Sequence, residues 1–383
     1  MLKINIPSCF SALLFFPVLL YPPLSFTSKV SDTLRVSLLI ALITFLFVRS
    51  KKVQSRQLLN LALLFLFAFT QLLLLDFSDW LDVSNALSLI LTLLFAISLD
   101  TALNNKEIAN YLVKFYINLF KLIPVTMLLG LLYFLFWGES DIFNLRIYSK
   151  LGDLQYYTPF GILLPKGAIL RSTSYFHEPV LISFYLAMNL FIPKGCFYRK
   201  QERERFVLLN FIAGVLTFSF LFWITFFVIF CIHGVIYGNW RIKLSIVFIL
   251  LCVAFLIFQA NVLELSSFSQ RLERIGIYLY IFPTLSIDQV LLGVGYNVAT
   301  GHRLHIASGF FALLYKIGVV GMLTVVTLIW RHSQKNYYLL VACFLSMLSF
   351  EPYLYPLFWL AIGAYVAADR MNLSPCNVYR NGK

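Results

Sequence analysis

The stretch FYINLFKLIPVTMLLGLLYFLFW, residues 115–137, decides the fold class. It carries a single charge, Lys121, and as a helix it would rise about 34 Å at 1.5 Å per residue, enough to cross a hydrocarbon layer of about 30 Å. Comparable apolar runs lie near 8–26, 34–48, 58–75, 83–99, 176–193, 207–219, 220–238, 244–260, 309–329, 337–350 and 354–368. The stretches 207–238 and 337–368 are each too long for one span and are flanked by basic residues, so each reads as a hairpin of two short helices. Twelve spans are therefore expected.

Composition agrees. The 383 residues are 60% hydrophobic and 12% charged, with a mean hydropathy of +0.84, whereas a soluble domain is about 25% charged. A soluble enzyme is excluded, and so is a second large soluble domain. The expectation is one all-α polytopic helical bundle filling residues 1–383. Lys3 and the run 8–26 could open a signal peptide, but no small-x-small cleavage site follows and Pro17, Pro22 and Pro23 interrupt the run, so it reads as a retained first span. The six cysteines fall in apolar runs or in segments assigned to the cytoplasm, which implies no exported disulfide framework.

A net charge of +13 would suit nucleic acid, but its distribution argues otherwise. With the N-terminus inside, the cytoplasmic segments hold 19 of the 30 basic residues and 5 of the 17 acidic ones, and the exported segments 9 and 12. That is the positive-inside pattern, with both termini cytoplasmic and no nucleic-acid partner. Two exported loops dominate, 138–175 and 261–308, and loops of that length are usually functional. Both are rich in Tyr, Phe, Ile and Leu, so they are expected to fold onto the membrane face as short or re-entrant elements.

The first chemical constellation is RSTSYFHEP, residues 171–179. Pro179 suits the first turn of a helix, so Glu178 lies at or beside its cap, with the positive dipole end facing outward. Arg171 and His177 would add donors for an anion such as a diphosphate, with Glu178 as base or orienting carboxylate. A bland reading explains the same residues: Glu178 caps the helix and pairs with Arg171. The second constellation is RLER, 271–274, then LGVGYN, 292–297, then HRLH, 302–305. Arg271 and Arg274 share a helical face and could clamp two phosphates, or belong to a solvated amphipathic helix. His302 and His305 have the spacing of a metal pair but no third ligand, so no metal is expected. Lys316 lies within a span and either snorkels or lines a polar cavity. The Glu351-Pro352 corner reads first as a turn.

These residues resemble a known family, the O-antigen and capsular polysaccharide polymerases of the Wzy group, within their wider clan with the O-antigen ligases. The resemblance rests on the Arg-x-x-x-x-x-x-Glu-Pro pattern from Arg171 to Pro179, the stretch Leu292 to Asn297, which is similar to the family's Leu-x-Gly-x-Gly turn, and the Gly-x-x-Gly ending formed by Gly318 and Gly321. Where ligases carry a histidine eleven residues before the first of those glycines, this chain has Ala307, which favours the polymerase. The resemblance implies a metal-independent, cofactor-free, inverting glycosyl transfer of the GT-C-like type at the periplasmic face of the bacterial inner membrane. It would move a growing glycan from undecaprenyl diphosphate onto the next lipid-linked repeat unit, with a Wzz-like chain-length regulator as a membrane partner. Arg171, Arg271, Arg274, His302 and Arg303 would bind substrate, and Glu178, His177 or His305 would act in catalysis. The alternatives are an O-antigen ligase and a flippase of lipid-linked oligosaccharide.

Overall fold

A computed structural model describes residues 6–20, 32–50, 55–74, 80–137, 145–148, 154–166, 169–176, 179–193, 196–197, 199–239, 276–294, 309–333, 336–348 and 350–373. The decisive stretch forms the C-terminal part of a 32-residue helix, α5 (Lys106–Trp137), preceded by α1 (Ile6–Leu19), α2 (Asp32–Arg49), α3 (Ser55–Leu74) and α4 (Trp80–Ala102). After it come α6 (Pro179–Asn189), α7 (Lys200–Leu216), α8 (Phe220–Tyr237), the short α9 (Ile287–Leu292), α10 (Gly309–Ser333), α11 (Tyr337–Met347) and α12 (Pro356–Leu373). Of the described residues 83% are helical, so the fold is mostly helical. Two helices, α5 and α10, are long and apolar enough to cross a membrane, which points to membrane association. The expected span at 244–260 lies outside the described residues.

Both inferred hairpins appear as pairs of helices. The chain reverses between α7 and α8 at Thr217–Ser219, where Phe218 takes a positive φ of 45°, and α11 and α12 are separated by a 3-10 turn at Pro352–Leu354. α5 is central, packing against α1, α7 and α12, while α4 packs against α2, α3 and α12. One face of α5 is left outward, with Leu122 59%, Leu135 69% and Phe136 78% exposed. An apolar face of this extent is expected where the solvent is lipid.

Polar side chains tie the bundle internally. Tyr116 of α5 donates to Asn189 Oδ1 at the end of α6 (2.8 Å), Asn189 Nδ2 donates to Asn210 Oδ1 of α7 (2.8 Å), and Asn210 Nδ2 donates to the Phe120 and Phe206 carbonyls. In an apolar surrounding every such group must find a partner within the protein, so the network fixes how α5, α6 and α7 register. At the end of the bundle near Arg370, that residue pairs with Asp100 (3.3 Å) and Asn336 donates to Asp369 (3.1 Å).

The all-α expectation needs one correction. Part of the loop 138–175 is a four-stranded antiparallel meander, β1 (Leu145–Tyr148), β2 (Leu154–Thr158), β3 (Gly161–Lys166) and β4 (Ile169–Ser172), in the order β1-β2-β3-β4. β2 and β3 are joined by the two residues Pro159 and Phe160, with Thr158 facing Gly161. A loop lying against apolar surface has little water to satisfy its backbone, and strand pairing supplies the partners. The sheet is fastened to α5. Ser172 Oγ donates to the Met127 carbonyl (3.1 Å), and Ser174 Oγ and Thr126 Oγ1 are 2.7 Å apart.

Candidate functional site at a broken helix

α10 is two helices end to end. Gly318 has φ 66° and ψ −173°, a conformation essentially closed to residues with a Cβ. The break is filled by the chain that follows α9. Gly293 takes φ 93°, and the Val294 N–H donates to the Tyr315 carbonyl at 2.9 Å, so a carbonyl beside the break has a partner. The two glycines pack backbone on backbone: a Cβ on Gly293 would lie 2.3 Å from the Lys316 carbonyl oxygen, and one on Gly318 would lie 2.4 Å from Gly293 N. The Leu-x-Gly turn and the Gly-x-x-Gly helix therefore interlock.

Lys316 sits two residues before Gly318, and its Nζ donates to both oxygens of Glu351, at 3.0 Å and 3.1 Å. The Tyr353 hydroxyl donates to Glu351 Oε2 at 3.2 Å. Glu351 does begin a turn, the 3-10 segment Pro352–Leu354, and the turn aims its carboxylate at Lys316. The pair is largely enclosed, with side-chain exposures of 18% and 14%, yet not sealed. Gly309, where α10 begins, is pressed against the Phe350 carbonyl, which brings the start of that helix beside the same corner.

The placement of this pair carries the argument. From Pro356, just after the corner, to Arg370, which pairs with Asp100, α12 advances 14 residues, about 21 Å. Thr92, in the middle of α4, donates to the Leu354 carbonyl at 3.4 Å. The ion pair thus lies about 21 Å along α12 from the Arg370–Asp100 end and is mostly enclosed by protein. An enclosed charge is costly unless paired, and here each side chain meets the other.

Of the eight site residues expected from sequence, Arg171 alone lies among the described residues. It sits half-buried in β4, paired in register with Leu164 of β3. His177, Glu178, Arg271, Arg274, His302, Arg303 and His305 lie outside them. Their neighbours are placed: Pro179 opens α6, directly after Glu178, and Gly309 opens α10, four residues after His305. The sheet and the Glu351 corner are bridged by α6, since Phe176 packs on Tyr185 (6.0 Å) and Phe184 on Phe350 (6.4 Å). The segment after β4 and the residue before Glu351 therefore both pack on the middle of α6.

Sequence reading named Lys316 and Glu351 separately and did not join them. A signal existed, since two opposite charges interrupt neighbouring apolar runs. No known family model matches the chain, and no curated protein matches it either.

Proposed function

We propose that this chain is a polysaccharide polymerase that joins undecaprenyl-diphosphate-linked oligosaccharide repeat units. The observation that carries the reading is the interlock of the two glycine motifs at the broken helix, beside an enclosed charge pair. Two of the three motifs on which the family resemblance rests are far apart in sequence and in contact in space, as parts of one site should be. In this reading the bundle spans the bacterial inner membrane twelve times, both termini are cytoplasmic, and the sheet end faces the periplasm.

A diphosphate leaving group needs fixed positive charge, and the acceptor sugar hydroxyl needs a base. Arg171, Arg271 and Arg274, with His302 and Arg303, are assigned to the first task; His177, Glu178 and His305 are the bases the family resemblance offers for the second, and the ion pair of Lys316 and Glu351 offers another. An open groove of about 590 Å³ between the end of α5 and the β2–β3 turn supports a lipid-linked substrate. Leu129, Leu132, Tyr133, Phe136, Trp137, Pro159 and Phe160 line it, a mainly apolar bed of the kind an isoprenoid chain requires.

The test is the surface glycan of a strain lacking the gene. Single repeat units on the lipid A core are the expected outcome, with long chains restored by the wild-type gene. Unchanged long chains would overturn the proposal, and long undecaprenyl-linked chains without core attachment would replace it with the ligase.

A further inference from the structure

The proposal that follows rests on the polymerase reading and concerns which groups do its chemistry. The pair described above has three properties together: opposite charges in direct contact, enclosure by protein, and a break in the helix that carries the lysine. A purely structural ion pair needs no break beside it, and a helix interruption within an apolar layer is tolerated where it lines a cavity or is covered by protein. Here the Gly293 turn covers one side. The remaining exposure of Lys316 and Glu351, 18% and 14%, leaves the pair short of sealed.

We infer that Lys316 and Glu351 are catalytic residues held in an inactive pair until a lipid-linked diphosphate separates them. The diphosphate is an anion of higher charge than one carboxylate and competes for Lys316 Nζ. Once displaced, Glu351 is a free carboxylate next to the reacting carbon, still held by the Tyr353 hydroxyl. In the transfer step the acceptor sugar oxygen attacks the anomeric carbon of the donor glycan, and a new C–O bond forms. The C–O bond to the diphosphate breaks, and its electron pair leaves with the diphosphate, whose charge Lys316 meets. The hydroxyl proton passes to Glu351. In the empty protein Lys316 occupies both oxygens of Glu351, and they are exposed to the acceptor only when a donor is bound.

Opposite signs at the two positions separate this from a structural role. With the full-length protein in detergent, binding of farnesyl diphosphate is measured by thermal shift and titration, with farnesol as the uncharged control. Lys316→Ala should weaken farnesyl diphosphate about ten-fold or more, since a charge-assisted contact is lost. Glu351→Gln should bind it as tightly as wild type or several-fold tighter, because the competitor is gone, while polymer synthesis in cells falls to single repeats. Glu351→Asp should retain part of the polymer. If Glu351→Gln weakens farnesyl diphosphate as Lys316→Ala does, or keeps full-length polymer, the inference is overturned. A deletion strain with normal polymer removes the polymerase reading itself, and the binding measurements then stand alone as a test of the anion site.

Discussion

Gly318 and Gly321 look equivalent as letters of one motif and are not equivalent as residues. Gly318 stands at φ 66° with backbone atoms of Gly293 and Leu291 within 2.4 Å of where a Cβ would go. At Gly321 a Cβ would crowd Cδ1, Cγ1 and Cβ of Ile317, but the backbone there has no positive φ, so only the side-chain contact is strained. Gly318→Ala should therefore destabilise the protein by about 1–3 kcal/mol from backbone strain, before the clash is counted, and Gly321→Ala by less. Thermal unfolding of the purified variants checks the order, and equal losses would contradict it. Cys196 makes a second case at this scale. Burial, with a smaller contribution from Asp369, pushes its thiol up to about 12, so at neutral pH it is almost wholly protonated and a poor nucleophile. Labelling of Cys196 by N-ethylmaleimide should be slow in the folded protein and fast after unfolding in detergent, as read by mass spectrometry.

Among elements, α6 shows how a short helix is held. It has 11 residues, about 16 Å, too little to cross a bilayer unaided, and nearly all its side chains are buried. Its C-terminal Asn189 is clamped between Tyr116 and Asn210. Asn210→Ala leaves the Asn189 amide and the Phe120 carbonyl without that partner and should destabilise by about 1–3 kcal/mol. A melting temperature unchanged from wild type would show that the network does not hold α6. The positions of helices were largely legible in sequence because each is a long apolar run. The meander was not, because its strands are short and lie in a loop whose apolar residues follow no helical period. Such strands exist only because neighbouring strands and α5 supply their partners.

For the whole molecule, the charge of +13 is the broadest signal and the least informative about chemistry. Its excess falls on the segments assigned to the cytoplasm, as an orientation signal does. A periplasm-active phosphatase reporter fused after Trp137 should be active and one fused after Asn239 inactive. The reverse pattern would invert the topology on which the polymerase reading depends.

Hydropathy and charge, read along the chain, were enough for a mostly helical, membrane-associated protein and for locating the motifs that mark its candidate chemistry. Those properties are local, since an apolar run of about 20 residues makes a helix and seeks lipid wherever it occurs. Contact between Lys316 and Glu351, 35 residues apart, was a matter for packing alone. It depends on where α10 breaks, on the Gly293 turn that fills the break and on the corner after α11. Each helix can be stable without that pairing, so nothing in the local pattern requires it. The charges meet because the assembled bundle encloses both at one corner, where an unpaired charge would be costly.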